Sequence, residues 1–340
     1  MKGFDSRFDN FPNYILGITH EIWEEKKVDT LNHYYSNDIP VRSPSSLVIG
    51  NKAVGKATLD TLSEFPDRQL LGEDVIWSGS PERGMLSSHR IFSTATHLGK
   101  GSFGEPTGKK IHYRVIADCH AKNNQIDDEW LVRDVGGIVK QLGHNSADFA
   151  HKQIQQEGGI ENCIKPFTAS MDLKGPYAGT GNDNEWGDLF SEILTSIMNG
   201  KTDIIQHHYD RAGKGYYPEG MMAVGFTEIE AFWKSLRNAL PSATFTIHHK
   251  IGREDPFLPP RAALRWSLVG KHEGKGRFGH PSNANIYIMG ISHAEFGPWG
   301  LRNEYTLFDD VSIWKQIHLQ LLINFQRNVR LMYSNDVCNA

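Results

Sequence analysis

The chain contains a long internal repeat: residues 90–142 and 265–317 align without a gap when the sequence is shifted by 175 positions. Several residue types recur in register across this shift. The matched pairs are Arg90 and Arg265, His97 and His272, Phe103 and Phe278, Pro106 and Pro281, Glu129 and Glu304, and Asp134 and Asp309. A repeat of this length predicts two copies of one domain rather than a solenoid. The 340 residues fit two domains of about 150 residues each.

We expect a first domain at residues 1–143, a linker with a short helix at residues 144–184, and a second domain with a C-terminal helix at residues 185–340. The linker holds a candidate helix at Ser146–Gln156. It continues into Gly175–Asn184, whose glycines and asparagines are typical of a connecting segment.

Within the first copy, apolar residues at helical spacing predict helices at Tyr14–Tyr35 and Ala53–Phe65, and Pro66 ends the second one. Strand-like runs follow. They are Asp74–Trp77, Leu86–Ala95, Lys110–His120 and Gln125–Val135. Helices followed by a sheet of antiparallel strands define an α+β fold class.

Asn123 and Asn124 suit the positive-φ positions of a two-residue hairpin turn. A simple turn there places Ala117 opposite Trp130. The predicted cavity face then carries Tyr113, Val115, Ala117, Trp130, Val132 and Asp134. The opposite face carries Arg114, Asp118, Glu129 and Arg133, and we expect this charged face to meet solvent or another sheet. A shift by one residue would invert the assignment.

Composition excludes several classes of function. The 36 basic and 40 acidic residues give a net charge of −4, so we expect no nucleic-acid partner. No apolar run reaches membrane-spanning length and the first residues are polar, so we expect no membrane span and no secretory signal. Cys119, Cys163 and Cys338 are too few for a disulfide framework, and a cytoplasmic location is the expectation.

We also expect neither a cofactor nor a metal. The segment Gly99–Gly104 departs from the phosphate-binding pattern G-x-x-x-x-G-K-[ST]. The histidine pairs at 207–208 and 248–249 would point to opposite faces of a strand and lack metal-ligand spacing.

Five short motifs in order carry a family resemblance. They are Phe65-Pro66-Asp67, Thr96-His97-Leu98-Gly99, the segment Phe103–Lys109, Glu129-Trp130 with Asp134, and Gln141-Leu142-Gly143. This order resembles the SnoaL-like polyketide cyclase family of the nuclear transport factor 2-like superfamily. The second copy resembles a diverged member, since it has Ser282-Asn283-Ala284 where the family has Thr-Gly-Lys.

The resemblance implies two cone-shaped α+β barrels, each with a curved antiparallel sheet and N-terminal helices around an apolar pocket. It implies a cofactor-independent activity such as aldol cyclisation of a polyketide. An aspartate near the domain end then acts as general acid and base, which by motif is Asp134 and by repeat Asp309. Family domains pair through the outer sheet face, so we expect an intramolecular pseudo-dimer, and further homo-oligomerisation is open.

Other candidate site residues have structural alternatives. His97 and His272 can donate to a substrate carbonyl or simply order their loop, and Tyr113 can bind an oxyanion. The candidate pocket walls, for which a role in the core is the alternative, are Trp23, Phe92, Phe103, Trp130, Phe278 and Tyr305.

The leading hypothesis is a cofactor-free lyase- or isomerase-type enzyme that performs aldol cyclisation, isomerisation or hydration and dehydration on a small carbonyl compound. Asp134 would transfer the proton. One alternative is a non-catalytic ligand-binding or assembly protein. Another is an epoxide-hydrolase-like site, which would need Arg114 and Asp118 on the same face as Asp134.

Overall fold

The computed structural model describes residues 1–337, so Cys338 lies outside the described residues. In the first half, helices precede and interrupt a six-stranded sheet. The elements are α1 (Phe11–Thr19), α2 (Leu31–Tyr34), β1 (Pro40–Ser43), β2 (Ser46–Ile49), α3 (Asn51–Glu64), β3 (Gln69–Ser80), β4 (Gly84–Thr96), β5 (Lys110–Lys122) and β6 (Gln125–Arg133). The single helix predicted at Tyr14–Tyr35 is divided, because α1 runs into a π-helical turn at His20–Glu24 and α2 is a separate short helix.

The second half repeats this order after three connecting helices. The elements are α4 (Val135–Leu142), α5 (Ser146–Gln156), α6 (Gly159–Asn162), α7 (Glu185–Met198), α8 (Ile204–His208), β7 (Tyr209–Tyr217), β8 (Met221–Val224), α9 (Gly225–Ala239), β9 (Thr244–Arg253), β10 (Arg261–Lys271), β11 (Asn285–Gly297), β12 (Gly300–Leu307) and α10 (Asp310–Val337). Within residues 1–337, no helix has the length and apolar character needed to cross a membrane.

The two sheets have the same strand order, β2-β1-β6-β5-β4-β3 and β8-β7-β12-β11-β10-β9. Their registers also agree, since Arg90 pairs with Ile116 on β4 and β5 while Arg265 pairs with Ile291 on β10 and β11. The α+β class and the two related sheets are therefore confirmed.

The predicted barrels and purely antiparallel sheets need correction. Each sheet is open and mixed, because β1 runs parallel to β6 and β7 runs parallel to β12. The parallel pairs arise because β1 and β7 follow the first helices of each half and enter the sheet beside its last strand. These short strands lack the length for a clear alternating pattern and were therefore not predicted from the sequence.

The two sheets pack face to face. Ser88 on β4 hydrogen-bonds with the Nε2 atom of His293 on β11 at 2.8 Å. Arg90 donates to Glu295 at 2.7 Å across the same interface. An apolar cluster joins both sheets and contains Ile116, Val132, Met289, Ile291, Tyr305 and Leu307. The convex faces are thus buried against each other, and the concave faces point toward the helices of each half.

The turn between β5 and β6 is confirmed at Asn123 and Asn124, whose φ angles are 51° and 66°. However, a β-bulge between His120 and Ala121 shifts the pairing, so that Ala117 lies opposite Leu131 and Asp118 lies opposite Trp130. The predicted face assignment for β6 is therefore wrong by one residue. Its concave-face residues are Glu129, Leu131 and Arg133.

Candidate active site in the first domain

A cavity of about 270 Å³ lies between the concave face of the first sheet and the helices α1 and α3. Its walls are mainly apolar. The apolar wall includes Ile15, Trp23, Val54, Leu70, Ile91, Val115, Ala117 and Leu131. A largely apolar cavity with a few polar groups is the usual form of a small-molecule site.

Glu129 is the carboxylate that β6 directs into this cavity, where it is buried. Burial raises its pKa to about 7, although hydrogen bonds from Tyr35 and Cys119 oppose the shift. Its Oε2 atom has no hydrogen-bond partner. A carboxyl group with a pKa near neutrality and a free oxygen can both accept and return a proton.

Two arginines form a second polar group at the cavity, and the buried Tyr113, which is not part of the cavity wall, hydrogen-bonds with one of them, Arg68. Arg68, which follows α3, and Arg133, at the end of β6, both line it, and each has an unpartnered Nε atom. Burial lowers the pKa of Arg68, and the charge of Arg133 lowers it further. Burial raises the pKa of Tyr113, but the charges of Arg68 and Arg133 more than offset this effect and lower it overall.

His89 on β4 is a further polar residue of the cavity wall. Its Nδ1 atom lies 3.1 Å from the hydroxyl of Ser87. Burial lowers the pKa of His89 to about 4. The imidazole is therefore neutral near pH 7, so one ring nitrogen can donate and the other can accept a hydrogen bond.

Asp134 lies outside the cavity wall, at the N-terminus of α4. Its Oδ1 atom accepts hydrogen bonds from the backbone N–H groups of Gly137 at 2.9 Å and Glu219 at 2.8 Å. Its Oδ2 atom accepts one from Gly220 at 3.0 Å. Burial raises the pKa of Asp134 to about 6. The carboxylate therefore caps α4 and holds a turn of the second half, which corrects the predicted cavity position.

Asp309 occupies the repeated position in the second half but borders the first-domain cavity. It accepts hydrogen bonds from the N–H of Val311 at 3.0 Å and the hydroxyl of Ser312 at 2.5 Å, at the start of α10. Burial raises the pKa of Asp309 to about 7. The second half thus supplies part of the wall around the first-domain cavity.

The two repeated histidines order loops and do not line this cavity. His97 is buried, with Nδ1 at 3.2 Å from the hydroxyl of Thr107 and Nε2 at 3.4 Å from Glu64. His272 repeats the arrangement with Ser282 at 3.0 Å. Both positions agree with the structural alternative for these residues.

Of the six aromatic candidates, Trp23 lines the cavity and donates to Thr58 at 3.3 Å. Trp130 and Tyr305 lie between the sheets, where Trp130 packs against Arg42 and Arg265. The register shift moves Trp130 there. The other three pack elsewhere: Phe92 stacks on His112, Phe103 packs against Phe65 and Phe149, and Phe278 belongs to the second core.

The convex face also holds the two residues required by the epoxide-hydrolase-like hypothesis. Asp118 lies 3.5 Å from Arg265 of the second half, and Arg114 donates to Glu73 at 2.9 Å. Neither borders the cavity with Glu129, so that arrangement is absent from the first-domain cavity.

The prediction of one pocket per domain does not hold for the second half, because large side chains fill its interior. Positions 175 residues apart show the exchange: Thr58, Ile91 and Arg133 correspond to Trp233, Trp266 and Phe308, which are all buried. Glu304, the counterpart of Glu129, accepts hydrogen bonds from Tyr209, Tyr217, Trp233 and Thr306. All the polar capacity of this carboxylate is used within the protein.

Four cavity residues were not predicted from the sequence: Glu129, Arg133, Arg68 and His89. Glu129 and Arg133 were placed on the wrong face, while Arg68 and His89 belong to no recognisable motif. One signal was available for Glu129, because it recurs as Glu304 in the repeat. Within residues 1–337, no three histidine, cysteine or carboxylate side chains gather in an arrangement that could hold a metal ion.

Helices over one face of an open six-stranded sheet, with a cavity between them, agree with the nuclear transport factor 2-like fold that the motifs of the first domain imply. Residues 14–142 match the family model described as SnoaL-like polyketide cyclase. This match covers the first domain, which over these residues is similar to the SnoaL-like polyketide cyclase family. The family resemblance inferred from the motifs is thereby confirmed.

Solved structures give similar matches over a little more than a third of the chain. IdmH of Streptomyces antibioticus, a proposed polyketide cyclase, is 18% identical, with 39% of this chain and 97% of that chain covered and a TM-score of 0.34. AclR of Streptomyces galilaeus, a proposed hydroxylase, is 20% identical, with 39% and 87% covered and a TM-score of 0.34. No curated protein sequence matches this chain.

Proposed function

We propose that the first domain is a cofactor-independent enzyme that moves protons on a small carbonyl compound, and that Glu129 is its general acid and base. The observation that carries this proposal is the Glu129 carboxyl itself, which is buried at an apolar cavity with one unpartnered oxygen and a pKa of about 7. The family of the first domain supports a reaction of the cyclase or isomerase type.

The chemistry follows from this environment. The Glu129 carboxylate takes a proton from the carbon beside a substrate carbonyl, and the electron pair of the broken C–H bond forms an enolate. The enolate then attacks a second carbonyl of the same molecule, which is an aldol cyclisation. In a substrate with a conjugated double bond, the dienolate instead takes the proton back at the far carbon, which is an isomerisation. Protonated Glu129 returns the proton in either case, so no external oxidant or reductant is required.

The test compares Glu129→Gln with Glu304→Gln in the full-length protein. Exchange of α-protons of an aryl ketone such as 1-tetralone with D2O, followed by NMR, measures the proton transfer directly. We expect Glu129→Gln to lose about a hundredfold or more of the protein-catalysed exchange. Glu304→Gln, whose carboxylate is fully hydrogen-bonded within the second core, is expected to retain it.

Exchange at the wild-type rate in folded Glu129→Gln would exclude this residue as the base. Binding of the ketone without any exchange in the wild-type protein would favour the ligand-binding alternative. Thermal unfolding of both variants provides the control for the integrity of the fold.

A further inference from the structure

Arg68 and Arg133 place two positive charges at the wall of the first-domain cavity. Arg68 is 6% exposed. Both arginines have a buried Nε atom without a hydrogen-bond partner. The groups that act on Arg68 are the cation of Arg133 and the phenol of Tyr113, which hydrogen-bonds with Arg68, and neither is a carboxylate. These buried donors therefore point to a partner that the protein itself does not supply.

The two arginines are energetically unfavourable in this position unless a ligand compensates their charges. A buried charge is expensive unless it is paired and hydrogen-bonded, and two like charges near each other increase that cost. Elsewhere in the described residues, buried arginines do have carboxylate partners: Arg42 pairs with Asp128, and Arg90 pairs with Glu73 and Glu295. The cluster at the cavity departs from this pattern.

The second half shows that the fold does not need the cluster. The positions corresponding to Arg68, Tyr113 and Arg133 are Ala243, Ile288 and Phe308, which are buried in the second core. All three polar residues are missing from the half whose interior is filled. Arg68, Tyr113 and Arg133 are therefore present in the half that has the cavity, and the sheet itself does not require them.

The strand β6 also sets the distance between the two kinds of polar group. Glu129, Leu131 and Arg133 alternate on its concave face, opposite Cys119, Ala117 and Val115 of β5. Four residues of strand separate the Cα atoms of Glu129 and Arg133 by about 13 Å. An acid, an apolar stretch and a cation therefore follow one another along a single wall.

We propose that the substrate is a carbonyl compound that also carries a carboxylate, which Arg68 and Arg133 bind while Glu129 acts on the carbon beside the carbonyl. The inference rests on the proposed function for the role of Glu129, and it adds the substrate class. A planar carboxylate offers two oxygens to the guanidinium donors, and the apolar body of the molecule lies along Leu131 and Ala117.

The experiment measures binding of 2-naphthoate and its neutral isostere 2-naphthamide to the full-length protein by calorimetry. We expect wild type to bind the carboxylate about tenfold or more tightly than the amide. Arg68→Met and Arg133→Met should each remove most of this preference. Arg68→Lys and Arg133→Lys should keep part of it, because the charge remains. Arg83→Met is the matched control, since Arg83 is an exposed turn residue outside the cavity, and it should keep the full preference.

Equal binding of the two probes, absence of binding by both, or a preference that survives in both methionine variants would overturn the proposal. Melting temperatures show whether each variant is folded, and the lysine variants provide the test if a methionine variant fails to fold. Glu129→Gln separates the two proposals. If wild type prefers the carboxylate but Glu129→Gln leaves proton exchange unchanged, the proposed function alone is contradicted. If wild type shows no carboxylate preference but Glu129→Gln abolishes proton exchange, this inference alone is contradicted.

Discussion

Glu129 and Glu304 occupy the same position in the two copies but have opposite environments. Glu304 accepts four hydrogen bonds from surrounding side chains, and Glu129 retains a buried oxygen without a partner. The difference is local, because the positions that hold the large Trp233 and Phe308 in the second half hold Thr58 and Arg133 in the first. A repeated residue therefore identifies a repeated backbone position, and its neighbours decide whether it has a reactive or a structural role.

At this scale, the stability of the protein should depend on the protonation of Glu129. Burial raises the pKa of Glu129 from 4.5 to about 7, so the folded state binds this proton more tightly than the unfolded chain. Its contribution is fully present below about pH 4.5 and is lost as the pH rises to about 7. Between about pH 5 and pH 8, we expect the free energy of unfolding of wild type to fall by up to about 3 kcal/mol relative to that of Glu129→Gln, because the glutamine does not titrate.

Urea unfolding at both pH values measures this difference. Glu161→Gln, a change at an exposed residue of α6, is the control and should show no such difference from wild type. The same pH dependence in Glu129→Gln and wild type would mean that the carboxyl is not buried as described.

At the scale of elements, Asp134 connects the helix that ends the first copy to a turn of the second. Its carboxylate accepts hydrogen bonds from three backbone N–H groups, which belong to α4 and to the turn Pro218–Gly220 before β8. The family motif predicts an acid at this position, but its oxygens are already occupied at a helix N-terminus. Helix capping and fixing of a neighbouring turn are sufficient to explain its presence.

We expect Asp134→Ala to destabilise the protein by about 2 to 4 kcal/mol, because it removes a helix cap and leaves buried N–H groups without acceptors. Asn145→Ala, which removes the exposed cap of α5, should cost about 1 kcal/mol. Chemical denaturation measures both. A stable Asp134→Ala protein that has lost proton exchange would instead restore the catalytic role predicted from the motif.

Much of the architecture could be predicted from the sequence, but the cavity face could not. The repeat predicted two copies, and Asn123 and Asn124 predicted the hairpin turn correctly. The bulge at His120 and Ala121 has no clear sequence signature, and one additional residue exchanges the two faces of β6. This single event explains why Glu129 was placed outside the cavity and Trp130 inside it.

At the scale of the whole molecule, the two halves divide their roles. Both have the same strand order and pack through their convex faces, and the unpartnered polar atoms of Glu129, Arg68 and Arg133 lie at the first-half cavity. The second half has a large aromatic core and places Asp309 against the first-domain cavity. We interpret the second half as a partner that supports the first and completes its wall.

The side chains that fill the second interior can be introduced at the corresponding positions of the first half to test these different roles. Trp266 on β10 lies opposite Gly290 and donates to Ser292, and a Cβ atom at Gly290 would lie 2.2 Å from its ring. The counterparts are Ile91, Val115 and Ala117. We expect the combined change Ile91→Trp, Val115→Gly and Ala117→Ser to abolish 2-naphthoate binding and leave a folded protein, because the indole fills the cavity.

Calorimetry and thermal unfolding check both parts of this expectation. The reverse change in the second half, Trp266→Ile with Gly290→Val and Ser292→Ala, is the matched control. It should lower stability by about 3 to 5 kcal/mol and leave probe binding intact. Wild-type affinity in the first triple variant would show that the probe binds elsewhere.

The aromatic filling of the second interior has a consequence for how such a molecule can change. In a symmetric homodimer every substitution appears in both subunits, so a tryptophan that closes one interior closes the other. Covalent fusion removes this constraint, because positions 91 and 266 are separate positions of one chain. One half can therefore fill its interior and become more stable while the other half keeps its cavity, which is impossible for identical subunits.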